Sequence, residues 1–126
     1  MERRKPKFTH GQDAAKIALA VWLFIAPWML NYSYARFIVW NEDSVAIVVA
    51  GFSIAAILKF TTWEEWVAII AGFWLFVSPW LFDYSKLLPP TLSLPATANH
   101  VAVGLMIIFL SLWELNLWEL ASSKSR

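Results

Sequence analysis

The sequence predicts an all-α fold: a four-transmembrane-helix bundle built from two tandem helical hairpins. Three observations predict it. The chain is 60% hydrophobic and only 15% charged, whereas a soluble domain carries about 25% charged residues. Four strongly apolar runs divide its 126 residues. One stretch is also written twice: APWMLNYS at 26–33 returns as SPWLFDYS at 78–85. Excess apolar surface must be hidden, and a short chain has little interior to hide it in. Lipid accepts it. Nine tryptophans agree, because indole rings favour the membrane–water boundary.

The elements follow in chain order. Residues 1–8 form a basic tail with Arg3, Arg4, Lys5 and Lys7. Such a tail also fronts a secretory signal. No small-residue cleavage site ends the apolar run, however, and Pro27-Trp28 stands where one belongs. The segment therefore reads as an uncleaved first span. The first run is Ile17 to Leu30, extended backwards by Thr9-x-x-Gln12. That spacing is a capping box, in which a hydroxyl and an amide satisfy free backbone N–H groups. The second run is Val45 to Leu58, with Asp43 as its expected N-cap. The third is Trp66 to Phe82, started by a second box, Thr61-x-x-Glu64. The fourth is Val101 to Trp113, with Asn99 as expected cap and Pro95 ahead of it. Runs this short also suit core helices of soluble bundles, but a soluble helix shows one apolar stripe. These are apolar all round. From Thr9 to Asn31, and from Thr61 to Asp83, is about the twenty residues that cross roughly 30 Å of hydrocarbon.

A shift of 52 lays Trp22 to Ser33 on Trp74 to Ser85, with seven of twelve positions identical. The second helices match at a shift of 56, Asp43-Ser44-Val45-Ala46 over Asn99-His100-Val101-Ala102. The chain is thus one membrane domain. Repeat one covers about 9–60 and repeat two about 61–120, with a short tail at 121–126. Two helices per unit bring both copies in from the same side. That gives a parallel pseudo-two-fold along the membrane normal. Of ten Lys and Arg residues, only Arg36 and Lys86 fall in the opposite loops. By the positive-inside rule both termini face the cytoplasm.

The doubled motif sets a proline one turn before the outer end of the first and third helices. Pro27 and Pro79 remove the bonds that their N–H groups would give to Leu23 and Leu75. Ser78 has a hydroxyl that can bond back to a carbonyl of its own turn; Ala26 has none. Trp28 and Trp80 then mark the boundary, Tyr32 and Tyr84 follow as anchors, and Asn31 and Asp83 can bond the last carbonyls. The preferred reading is a kink, a stop and an anchor. The alternative is a pocket or hinge on the broken helix. Ser78-Pro79-Trp80 and Ala26-Pro27-Trp28, with Trp22/Trp74 upstream and Tyr32/Tyr84 downstream, resemble the SPW-repeat family. These are small bacterial membrane proteins of four predicted helices. The resemblance covers nearly the whole chain and implies the fold and a place in the bacterial inner membrane. It implies no activity.

Little in the sequence points to catalysis. There is no cysteine, which removes disulfides, thiolate metal sites and CxxC redox chemistry. There is no nucleophile–base set, phosphate loop or run of metal ligands. A net charge of +1 gives no reason to expect nucleic acid. His10 and His100 fall at opposite ends of the bundle, which disfavours a shared haem or metal. His100 alone is a pigment or quinone contact only as a remote alternative; the ordinary reading is a polar end-residue. Glu114 sits near the inner boundary, within a doubled Trp-Glu-Leu at 113–115 and 118–120. It is expected to pair with Lys59 or Lys16 by snorkelling. No acid is expected at mid-membrane depth, where one would be a functional candidate by default. Ala46, Ala50, Gly51, Ala68 and Gly72 stand at packing spacing. The expected role is an accessory or scaffolding subunit, without enzymatic activity or cofactor. Its partners would be the lipid bilayer and other membrane subunits, for example of a respiratory or photosynthetic complex. The alternative is a carrier or channel for a small or apolar solute, as a homo-oligomer.

Overall fold

The computed structural model describes residues 9–59 and 62–124, with side chains over 11–59 and 63–116. The basic tail, the two threonines of the capping boxes, His10 and the second Trp-Glu-Leu at 118–120 lie outside the described side chains. The helices are α1 (Thr9–Met29), α2 (Arg36–Leu58), α3 (Thr62–Leu81), a single turn α4 (Tyr84–Leu87) and α5 (Pro90–Lys124). No strand occurs among the described residues. The closest pairings are α3 with α5 and α1 with α2, and α2–α3 and α1–α5 contacts close the ring. Among the described residues, three helices are long and apolar enough to cross a membrane: Arg36–Leu58, Trp63–Leu81 and Pro90–Asn116. The protein is therefore a multi-pass membrane protein. α1 has 21 residues, but its first turns carry Gln12, Asp13 and Lys16.

Two helices begin well before their expected caps. α2 starts at Arg36 after Ala35, with no side-chain cap. α5 starts at Pro90 and continues through Pro95. Pro90 suits a first helical position, where no N–H is needed. Asp43 and Asn99 are therefore not caps but lie inside helices. The polar stretch Asn41-Glu42-Asp43-Ser44 reads as a loop because its side chains want hydrogen bonds. It stays helical with Asn41 and Glu42 bonded to side chains of other elements inside the bundle.

α1 ends in a Schellman turn. Asn31 takes the left-handed conformation at φ 66°, and the Tyr32 N–H reaches back to the Pro27 carbonyl at 2.8 Å. Asp83 takes the same role after α3, at φ 53°. Asn and Asp tolerate this conformation best after glycine. These two residues thus end their helices through backbone shape. The Asp83 carboxylate turns instead to the Ser85 hydroxyl at 2.6 Å and to Lys86 at 3.5 Å.

The middle of the interior is apolar. Ala20, Leu23, Val45, Ala46, Val49, Ala68, Leu75, Val103 and Ile107 form one cluster. Tyr32, Ile38, Tyr84, Leu88 and Ala96 form a second, at the end where α1 turns into α2. In water, burying each large apolar side chain would contribute about 1.5–3 kcal/mol. In lipid that gain is absent, so close packing and hydrogen bonds decide the contacts. Packing is tightest where α3 crosses α5. A Cβ on Gly104 would sit 2.6 Å from the Gly72 carbonyl oxygen, and one on Gly72 would sit 2.9 Å from that of Gly104. Ala46 and Ala68 are buried too, whereas Gly51 has nothing within 4 Å of its Cβ position.

The inward faces of α2 and α5 match at an offset of 58. The pairs are Glu42/His100, Val45/Val103, Ala46/Gly104, Val49/Ile107, Ser53/Ser111 and Ala56/Glu114, all buried. This replaces the expected offset of 56. Two residues turn a helix by about 200°, so a register of 56 would set one inward face against an outward one. The counterpart of Glu114 is Ala56, not the Leu58 that a shift of 56 gives.

Candidate functional site

Polar side chains gather inside the bundle at two levels. The first lies where α1 joins α2 and α4 joins α5. Glu42 is fully buried there. Its Oε2 accepts from the Tyr32 hydroxyl at 2.7 Å. Its Oε1 accepts from the same hydroxyl at 3.0 Å and from the Asn99 amide at 3.1 Å. Asn99 Oδ1 in turn accepts from the Trp22 indole N–H at 2.6 Å. A second chain runs alongside. Trp74 Nε1 donates to Asn41 Oδ1 at 2.7 Å. Asn41 Nδ2 donates to the Tyr84 oxygen at 3.2 Å. The Tyr84 hydroxyl meets His100 Nε2 at 3.2 Å, and His100 Nδ1 meets the Ala96 carbonyl at 2.8 Å. His100 Nε2 and Glu42 Oε2 are 3.9 Å apart.

The two chains are built alike. In each, a tryptophan from α1 or α3 reaches an asparagine of the other hairpin, and a tyrosine meets Glu42 or His100 of its own hairpin. Both tyrosines stay protonated at neutral pH. Burial pushes Tyr84 up to about 12. Burial, followed by the negative Glu42 carboxylate, pushes Tyr32 up as well. Outside, on the exposed turn, the Ser85 hydroxyl and then Lys86 hold the Asp83 carboxyl below the usual range.

The second level lies at the opposite end. Lys16 is its centre, with its side chain 1% exposed. Its ammonium donates to Glu65 and, at 3.2 Å, to the Ser111 hydroxyl. It also sits 3.6 Å from Asp13 and 3.7 Å from Glu114. Asp13, Glu65 and Glu114 each bring a carboxylate oxygen within 4.8 Å of the others, a spacing that could hold a metal ion. Here the ammonium touches all three, so it serves as a tethered cation. Lys59 is exposed at the end of α2 and makes no ion pair with Glu114. Of the two expected partners, the structure places Lys16 beside the acid.

Several sequence expectations need correction. Tyr32 and Tyr84 are not anchors in the boundary but fully buried. His100 is not an end-residue: it lies ten positions into α5, and both ring nitrogens are engaged, which leaves no open position for a pigment or quinone. Glu42 is an acid inside a membrane helix, where none was expected. The repeated tripeptides divide between inside and outside. Ala26 and Ser78 are fully buried, Pro27 and Pro79 are buried with them, and Trp28 and Trp80 are 53% and 62% exposed. Ser78 donates to the Trp74 carbonyl at 2.6 Å. Trp28 and Trp80 lean on Phe24 and Phe76, with ring centroids 6.4 Å and 5.8 Å apart.

The chain matches the SPW repeat domain over residues 10–114. It belongs to the SPW-repeat family. In this SPW-repeat protein the match spans both tripeptides and both polar levels. No curated protein and no solved structure matches. At the first level sequence reasoning missed Asn41, Glu42, Asn99 as a bridging amide, and the indole N–H groups of Trp22 and Trp74; at the second it missed Asp13, Glu65 and Ser111. One signal was available. The tryptophans recur at a shift of 52 in the middle of apolar runs, where an indole N–H needs an acceptor.

Proposed function

We propose that this SPW-repeat protein is a small accessory or scaffolding subunit of a larger assembly in the bacterial inner membrane, and not an enzyme. In this reading α1 is a fourth span. The two hairpins are tandem repeats about a parallel pseudo-two-fold, with both termini in the cytoplasm. The observation that carries it is the apolar seam between the two polar levels. Leu23, Val49, Leu75 and Ile107 are fully buried in it. A carrier or channel needs polar groups at that depth. The polar side chains that are present bond to one another across the hairpins, as the fastenings of a rigid scaffold would. The aromatic exterior, with Trp40 at 73% and Trp66 at 54% exposure, suits lipid or a partner subunit.

A second reading, a carrier for a small solute, is favoured by one observation: buried ionisable groups occupy the bundle at both ends. One experiment separates the two. The protein is purified from its own host in mild detergent, and co-purifying proteins and the visible absorption spectrum are recorded. A partner at fixed stoichiometry supports the accessory role. A chain that purifies alone and moves protons or solute across liposomes supports the carrier and contradicts the scaffold.

A further inference from the structure

The polar level around Glu42 has a place for one proton. The hydrogen positions follow from the partners. The Ala96 carbonyl only accepts, so His100 Nδ1 carries a hydrogen and donates to it. Nε2 of the neutral ring is then an acceptor, and it takes the Tyr84 hydroxyl hydrogen. The Tyr84 oxygen already accepts from Asn41, whose own oxygen accepts from Trp74. Every hydrogen from Trp74 to Ala96 is thereby placed, all pointing one way. On the other side Glu42 only accepts, from Tyr32 and Asn99. This arrangement describes a bare carboxylate beside a neutral imidazole. Both side chains are 0% exposed, and no lysine or arginine among the described residues pairs with either. A single unpaired charge in a site closed to water is costly. One added proton removes the cost, and there are two positions for it. On Glu42 it makes a neutral acid. On Nε2 it makes an imidazolium 3.9 Å from the carboxylate, with the Tyr84 hydroxyl turning aside.

We propose that Glu42 and His100 together form a proton-binding site, holding one exchangeable proton between the two hairpins. The proposal is independent of the accessory and carrier readings. The groups that face the pair are Trp22 from α1, Tyr32 from the α1–α2 turn, Asn41 and Asp43 from α2, Trp74 from α3, Tyr84 from α4 and Asn99 from α5. Of these only the two tyrosines and Asp43 titrate. Because Glu42 belongs to the first hairpin and His100 to the second, the proton also bears on how firmly the hairpins hold together.

The test uses the full chain in detergent, with the pH as the only variable. Infrared difference spectra report the carboxylic-acid carbonyl stretch, and nitrogen NMR of labelled histidine reports the rings, with His10→Gln assigning them. The expected result is one carboxylic-acid band that titrates in step with the His100 ring, with an uptake of one proton for the two groups. Glu42→Gln removes the band. If Glu42→Gln does not fold, Tyr32→Phe keeps the carboxyl but takes away its donor, and must shift the band. The proposal is overturned if Glu42 stays ionised and His100 neutral at every pH where the protein is folded. It is equally overturned if the two groups take up one proton each in separate steps, or if neither variant changes the band.

Discussion

Lys16 is the residue on which one end of the bundle depends. Its ammonium touches Glu65, Asp13, Glu114 and Ser111 while almost completely buried. Removing one partner of a buried ion pair costs about 3–5 kcal/mol, because the other charge is stranded. Lys16→Met should therefore lower stability in detergent by that order, read as a large fall in the midpoint of denaturant unfolding. Glu65→Gln should cost more than Glu114→Gln, since Glu65 takes the hydrogen bond directly and Glu114 stands at 3.7 Å. Equal losses would contradict this geometry. The tyrosines allow a second test. Their folded values lie above the ordinary 10.0. They support the fold fully below about pH 10, and the support is lost as pH rises through the folded value, about 12 for Tyr84. Neither Tyr32 nor Tyr84 should contribute tyrosinate absorbance before the protein unfolds at alkaline pH. Absorbance that Tyr84→Phe removes from the folded protein would refute the burial.

At this scale the sequence was partly legible. Lys16 and Glu114 could be matched because both sit near one boundary and carry opposite charge. Asp13 and Glu65 could not, because next to a capping box an acid reads as a helix-start residue. Glu42 was illegible for a sharper reason. Nothing in Asn-Glu-Asp-Ser distinguishes a loop from a helix turn whose partners lie on other elements, 10 to 57 residues away.

The elements show where small side chains are required and where they are incidental. The α3–α5 crossing brings backbone against backbone, since a Gly104 Cβ would meet the Gly72 oxygen at 2.6 Å and the Phe76 nitrogen at 3.1 Å. Backbone cannot move aside as a side chain can, and overpacking costs about 1–3 kcal/mol. Gly104→Ala should lower stability by that order, whereas Gly51→Ala, facing open space, should change it little. Similar losses at both sites would contradict the crossing. Pro79 belongs to this scale too. Ser78 bonds to the Trp74 carbonyl, so the turn keeps a local bond after the proline is replaced. Pro79→Ala should leave a folded protein with a straighter α3, measured as a longer spin-label distance along the helix. Loss of the fold would show that the kink itself sets the packing. The hairpins were legible from the doubled motif, which lies on α1 and α3. The register of α2 against α5 was not, because inward faces are set by contacts rather than by the four residues that look alike.

The whole molecule is two hairpins laid side by side, fastened at one end by the Trp–Asn–Tyr chains and at the other by Lys16, with an apolar seam between. Composition alone made the membrane legible: too much apolar surface for 126 residues to bury in themselves. The number of crossings turns on α1, which carries charge in its first turns and whose inclusion as a span decides the topology. The chain has no cysteine of its own, so single cysteines can be placed at will. Tyr34→Cys lies in the turn after α1, Lys59→Cys at the end of α2 and Lys86→Cys on α4. Intact cells are treated with a membrane-impermeant maleimide. Four crossings with cytoplasmic termini predict labelling at positions 34 and 86 from outside, and at 59 only after the membrane is opened. Labelling of 59 from outside, or a position 34 that is protected until the membrane is opened, would contradict the account.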